Sequence, residues 1–145
     1  MSKGEERVIK LEIPSDMKML YVLDAVITEV LKEMNFSEEA AEQVNLAVIE
    51  AGTNAIKHGN KNDPSKRVYF ELRISDDKLT VVVRDEGEGF NPDEVGNPLD
   101  PENILKPSGR GIFLMRALMD EVKYDKKGTE VRMVKYKKPP KGGAR

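Results

Sequence analysis

The chain has 145 residues, a length that fits one domain with a sizeable core. Its 24 Lys+Arg and 26 Asp+Glu leave a formal net charge of −2, which gives no global argument for nucleic acid or an anionic membrane. Cys is absent and His58 is the one His, so disulfide frameworks, thiol catalysis, Cys-based zinc sites and two-His metal motifs are excluded.

No apolar run approaches the ~20 residues that span a bilayer. The N-terminal stretch MSKGEERVIKLEIP has no apolar segment followed by small residues, which predicts no signal peptide. Lack of Cys suits a reducing compartment, so a cytoplasmic protein is expected. Charged residues make up 34% and apolar residues 39%, a strongly charged surface around an adequate core.

Residues 8–13 (VIKLEI) alternate, with Ile9, Leu11 and Ile13 on one side, and predict a short strand. Pro14-Ser15-Asp16 breaks it and offers a helix cap. Residues 17–34 place Leu20, Leu23, Ile27, Val30, Leu31 and Met34 at steps of mostly three and four, which predicts a helix. After Asn35-Phe36, Ser37 suits an N-cap, with Glu38 and Glu39 in the first turn. The second helix is expected to run to about His58 and to stop at Gly59 in the left-handed conformation. Residues 67–74 and 79–84 are β-rich and joined by Ser75-Asp76-Asp77-Lys78, an antiparallel hairpin.

Residues 86–110 break the pattern, with Pro92, Pro98, Pro101 and Pro107 among Gly87, Gly89, Gly96 and Gly109. A loop this long in a compact domain is functional or disordered. A third helix is expected over about 111–120, with Ile112, Met115, Leu118 and Met119 as its apolar face. Val122-Lys123-Tyr124 and Thr129–Tyr136 flank Lys126-Lys127-Gly128 as another hairpin. The tail is basic and rich in Pro and Gly, and is expected to be disordered. Residues 1–137 thus form one domain, with 138–145 a basic tail. The order of elements predicts an α+β fold, a two-layer sandwich with helices on one face of a mainly antiparallel sheet.

Three segments suggest chemistry. Glu50, Asn54 and His58 recur every four residues on the second helix, one slanting row beside the small residues Ala47, Ala51 and Ala55. Small side chains there let a ligand or another backbone approach; the row is equally a solvated edge beside a core stripe. Asp85-Glu86-Gly87-Glu88-Gly89-Phe90 follows an apolar strand. A carboxylate at a strand end can accept a hydrogen bond from an exocyclic amine, and the glycines permit close backbone approach. Alone, the segment also reads as an ordinary acidic turn. Pro107-Ser108-Gly109-Arg110-Gly111-Ile112 opens the third helix, where free amides and the macrodipole suit phosphate or simply cap the helix.

Taken in order, E-x-x-x-N-x-x-x-H-G, D-x-G-x-G-F, a long loop and G-R-G-I resemble the GHKL (Bergerat) ATP-binding fold. The segments VIEAGTNAIKHGN and GRGIFLMRALMDEVKY resemble most its anti-sigma-factor serine/threonine kinase branch, the RsbW and SpoIIAB type. The resemblance covers roughly residues 7–136. It implies ATP and Mg²⁺ as cofactors, with Asn54 as the Mg²⁺-holding residue, since an oxygen ligand suits that hard cation. It implies Glu50 as the general base and Asp85 as the adenine reader, with Thr129 near the adenine. By the same resemblance Gly87 and Gly89 match the hinge of a lid, and Gly109, Gly111 and Ile112 its phosphate end. Arg110 is placed near the phosphates or faces solvent; His58 lies at the edge of the site or caps its helix.

The family function implied is phosphorylation of Ser or Thr on a small STAS-type antagonist and, in another state, sequestration of a sigma factor. A homodimer is implied as well, with strand one and helix one as the available contact surface. The alternative is a nucleotide-gated protein-binding regulator of the same fold without kinase activity. No direct nucleic-acid or membrane partner is expected. No P-loop motif is present, and Ala55-Ile56-Lys57 lacks the H-R-D and D-F-G that would make it a eukaryotic-type kinase lysine. Some members of the branch dock partners through an Arg on the first helix. Here none occurs between Arg7 and Arg67, and Lys18, Tyr21 and Lys32 are the candidates on that helix.

Overall fold

A computed structural model describes residues 5–91 and 107–138, with the backbone alone for 107–110. Five strands form one sheet: β1 (Arg7–Pro14), β2 (Arg67–Ile74), β3 (Lys78–Arg84), β4 (Glu121–Tyr124) and β5 (Glu130–Tyr136). Their spatial order is β1-β2-β3-β5-β4, and every neighbouring pair is antiparallel. Three helices, α1 (Leu20–Glu33), α2 (Glu38–Asn54) and α3 (Pro107–Leu118), complete the α+β sandwich.

The period-two pattern decides which sheet face the helices cover. In β2, Val68, Phe70, Leu72 and Ile74 are buried, while Tyr69, Glu71 and Arg73 alternate with them. Leu79, Val81 and Val83 of β3, with Val131 and Met133 of β5, extend that inner face. Against it lie Leu23, Ile27 and Leu31 of α1, Val44, Ala47, Val48 and Ala51 of α2, and Ile112 and Met115 of α3. The opposite face mixes the buried Val82 and Val134 with charged and aromatic groups: Arg73 pairs with Glu71 at 2.6 Å, and the Arg84 guanidinium lies 4.3 Å from the Tyr69 ring centroid.

Local signals set the element ends. Asp16 accepts a hydrogen bond from the Lys18 amide at 2.9 Å and starts a 3₁₀ turn, Met17–Met19, before α1. Asn35, at φ 62°, ends α1 in the left-handed region that Asn tolerates. Ser37 caps α2 through the Ala40 amide at 3.1 Å, with Glu38 and Glu39 in the first turn, as its sequence predicts. Among the described residues, no helix is long and apolar enough to cross a membrane.

Four expectations need correction. The last turn of the second helix, Ala55–Gly59, is a π turn rather than α, and Asn60 N–H donates to Ala55 O at 2.8 Å. Gly59 does not supply the left-handed stop; Lys61 (φ 53°) and Asn62 (φ 58°) do. The third helix begins at Pro107, not 111, because Pro suits the first helical position. Strand one keeps Ile13 buried, but Ile9 is 37% exposed because β1 is an edge strand. Segment 92–106 and the tail from 139 lie outside the described residues.

Lys135 is a buried cation within this frame. Its Nζ donates to the Leu118 carbonyl at 2.6 Å and to Gln43 Oε1 at 2.8 Å, tying the C-terminal end of α3 to α2. Leu23 is fully buried in the core. Leu23→Ala should therefore cost about 3 kcal/mol, read as a lower urea midpoint at unchanged slope.

Candidate nucleotide site

The site forms where the end of α2, the end of β3 and the start of α3 converge. Glu50 and Asn54 stand one turn apart at the C-terminal end of α2, both half-buried. Ala47, Ala51 and Ala55, the small residues beside them, are buried in the core and do not line an approach for ligand. The π turn that follows widens the helix, so the four-residue row does not continue regularly to His58, which is exposed.

At the end of β3 the chain crosses close to that helix end. A Cβ on Gly59 would collide with the Asp85 carboxylate, and one on Gly87 would collide with the Gly59 carbonyl. Bare backbone at both positions lets the two segments touch. Asp85 Oδ1 accepts the Gly87 N–H at 2.8 Å, and the Asp85 N–H donates to Thr129 O at 2.9 Å. Among the described residues Oδ2 accepts no hydrogen bond. Burial lifts the Asp85 carboxyl above its ordinary value, and the Gly87 N–H works against that shift. The Asp125 charge adds to the rise and Lys66 opposes it.

Thr129 is held in turn by Asp125, whose Oδ1 accepts the Thr129 N–H at 3.0 Å and whose Oδ2 accepts the Thr129 hydroxyl at 3.3 Å. Gly89 has φ 82°, and a Cβ there would collide with the Lys127 carbonyl. The Phe90 N–H donates to that same carbonyl at 2.9 Å, and the Phe90 ring meets Tyr124 edge-on at 5.1 Å. The chain leaving the site is thus fastened to the β4–β5 turn.

On the other side, Gly111 is buried against Asn54. A Cβ there would collide with Asn54 Nδ2 and lie 3.1 Å from Oδ1. The start of α3 and the Asn54 carboxamide are therefore in contact. Ile112 points into the core, 3% exposed, so any part it has in binding is through its backbone. Gly109 and Arg110 are described as helical backbone in the first turn of α3.

The structure brings Asn54 against Gly111, and Asp85 against Gly59, Gly87 and Thr129 with Gly89 beside Thr129; Glu50 stands one turn before Asn54, and His58 is exposed. Sequence reasoning missed Asp125 and Asn60. Asp125 lies in a turn whose acids look solvated. Asn60 directly follows the H-G pair, but burial of a loop Asn carries no sequence signal.

The donors and spaces suit an adenine nucleotide. Asp85 offers a partly desolvated acceptor for an exocyclic amine, held there by the bare backbone of Gly59 and Gly87, and α3 presents its N-terminal end alongside Asn54. Among the described residues, no group of three or more His, Cys, Asp or Glu could hold a metal ion.

Residues 13–135 match the family model for the histidine kinase-like ATPase domain. The chain is 30% identical over 141 residues to the serine-protein kinase RsbW of Bacillus subtilis (strain 168), covering 92% of this chain and 88% of that protein. It is 30% identical over 135 residues to the serine-protein kinase RsbW of Oceanobacillus iheyensis, covering 88% and 85%. It is 32% identical over 144 residues to the protein of that name in Staphylococcus aureus (strain JH9), covering 92% and 89%. With residues 13–135 matched and relatives alike over most of their length, the chain belongs to the histidine kinase-like ATPase domain family.

Proposed function

We propose that this chain is an ATP-dependent protein serine/threonine kinase that phosphorylates a small STAS-type antagonist and, in another state, sequesters a sigma factor. The observation that carries the reading is that the end of the second helix meets both Asp85, through Gly59, and the start of α3, through Asn54 and Gly111, with the half-buried Glu50 one turn before Asn54. The relatives' name, serine-protein kinase, supports it.

Each residue then has a role. Asp85 accepts the exocyclic amine of adenine, with Thr129 beside it. Gly87 and Gly89 serve as the hinge of a lid, packed closely against Gly59 and Lys127; Gly109 and Gly111 form its phosphate end, with Gly111 against Asn54, and Arg110 would add positive charge there. Asn54 would hold Mg²⁺ through its carboxamide oxygen, with phosphate oxygens and water completing the shell. Bound ATP supplies the γ-phosphoryl group for in-line transfer. Glu50 takes the proton of the attacking Ser or Thr hydroxyl. A pure binding module has no need of that base.

Partner contact falls to α1, where Tyr21 is 80% exposed and Lys32 reaches Glu29 at 3.7 Å near the surface. The edge strand β1, with Val8 47% and Ile9 37% exposed, supports a homodimer. Residues 1–137 form the catalytic domain and 138–145 a basic tail, in a cytoplasmic protein.

Two variants separate the roles. Glu50→Ala should lower phosphate transfer from labelled ATP to a STAS-type antagonist by about 10²-fold or more, with nucleotide affinity unchanged. Undiminished transfer removes Glu50 as the base; no transfer by the wild type to any such antagonist leaves the nucleotide-gated regulator.

For Asp85 the native pKa lies above that of the unfolded chain, so the ionised carboxyl weakens the fold at neutral pH. That penalty vanishes as pH falls below the unfolded value. Asp85→Asn keeps an oxygen for the Gly87 N–H and removes the charge. Its nucleotide-free unfolding midpoint should equal or exceed that of the wild type. It should also lose the stabilisation of about 2.7 kcal/mol that ATP at ~100 times its Kd confers on the wild type. Equal stabilisation of both proteins by ATP would refute the adenine assignment.

A further inference from the structure

Asn60 is fully buried, 0% exposed, one residue beyond the π turn. Its carboxamide is engaged at both ends. Nδ2 donates to Ser15 Oγ at 2.8 Å and to the Arg67 carbonyl at 3.0 Å, and Oδ1 accepts the Glu86 N–H at 2.8 Å. The Ser15 hydroxyl in turn donates a hydrogen bond to the Lys66 carbonyl at 2.7 Å. The partners settle the orientation of the amide, because the Arg67 carbonyl can only accept and the Glu86 N–H can only donate. One side chain therefore joins the end of β1, the turn after α2, the start of β2 and the loop after β3.

That last bond falls on the residue next to Asp85. The chain there is held at consecutive amides: Asp85 N–H by Thr129 O, Glu86 N–H by Asn60, and Gly87 N–H by the Asp85 carboxylate itself. The Glu86 carboxylate also accepts the Arg67 N–H. A generic turn does not need a buried carboxamide from a distant segment. This one has it where the peptide plane after Asp85 sets the direction of the carboxylate against Gly59.

We propose that Asn60 is a positioning residue for base selectivity, holding the Glu86 N–H so that the Asp85 carboxylate is fixed where an adenine amine meets it. The proposal rests on the reading of Asp85 as the adenine acceptor. It differs from a plain structural brace in what it controls. A brace supports binding of any nucleoside diphosphate equally. A positioning residue supports the one whose base donates from its exocyclic amine.

The test is calorimetric titration of the full chain with ADP and with inosine diphosphate, which carries an oxygen in place of that amine. The wild type should prefer ADP by about 10- to 100-fold, the worth of a hydrogen bond to a charged group. Asn60→Ala should reduce that preference about tenfold. Ser15→Ala, which leaves the Oδ1 bond to Glu86 in place, should lower the unfolding midpoint and keep the preference. A preference lost in Asp85→Ala but kept in Asn60→Ala overturns the role of Asn60 alone. No preference in the wild type, or one that survives Asp85→Ala, removes the adenine reading and this proposal with it. Should Asn60→Ala not fold, hydrogen exchange on the wild type decides: a Glu86 amide that gains protection with ADP and not with inosine diphosphate supports the proposal, and one that responds alike to both, or exchanges like an exposed amide, overturns it.

Discussion

A Cβ on Gly59 would occupy the space of the Asp85 carboxylate, and one on Gly87 would run into the Gly59 carbonyl. The end of the second helix and the end of the third strand thus meet backbone to backbone. Much of the site follows from this contact. It lets a carboxylate sit partly out of water at a strand end, where its ionised form is held at a cost. It brings the loop after β3 within reach of Asn60. The helix itself ends there in a wider turn, closed by the i→i+5 bond from the Asn60 N–H to the Ala55 carbonyl.

The rest of the fold supplies rigidity to that meeting point. The two halves of the site ride on elements whose inner faces share one core: α2 through Val44, Val48 and Ala51, α3 through Ile112 and Met115, and β3 through Leu79, Val81 and Val83. Lys135 fastens the far end of α3 to α2, so Gly111 is held against Asn54 from both ends of its helix. A buried ammonium is costly unless its donors are satisfied. Here a helix-terminal carbonyl and an amide oxygen satisfy two of them. Polar chemistry concentrated along the seam between helices and sheet leaves the centre of the core apolar.

Much of this was legible in the sequence. Alternation in VYFELRI and LTVVV carried the hairpin, and the steps of three and four in residues 17–34 carried α1, because each pattern reports directly on which side chains leave water. Ser37 with Glu38 and Glu39 gave away the start of α2, since capping is a local interaction. The ordered motifs around Asn54, Asp85 and Gly111 carry the family resemblance in the sequence itself. What stayed hidden was non-local. Gly59 looked like a left-handed stop and proved to be a space requirement. The row through His58 looked continuous until the π turn changed its pitch.

By itself the sequence determined the number and type of the elements, the face each one buries and the residue types available for chemistry. These rest on periodicity, capping and composition, which act over a few neighbouring residues. The tertiary structure alone decided how the helix end and the strand end meet, which glycines are bare because something else needs their space, and that Asn60 is buried with its whole carboxamide engaged. Those outcomes depend on segments far apart in the chain, such as Asn60 and Glu86 or Gly111 and Asn54. No local pattern encodes a contact that exists only once the layers have packed.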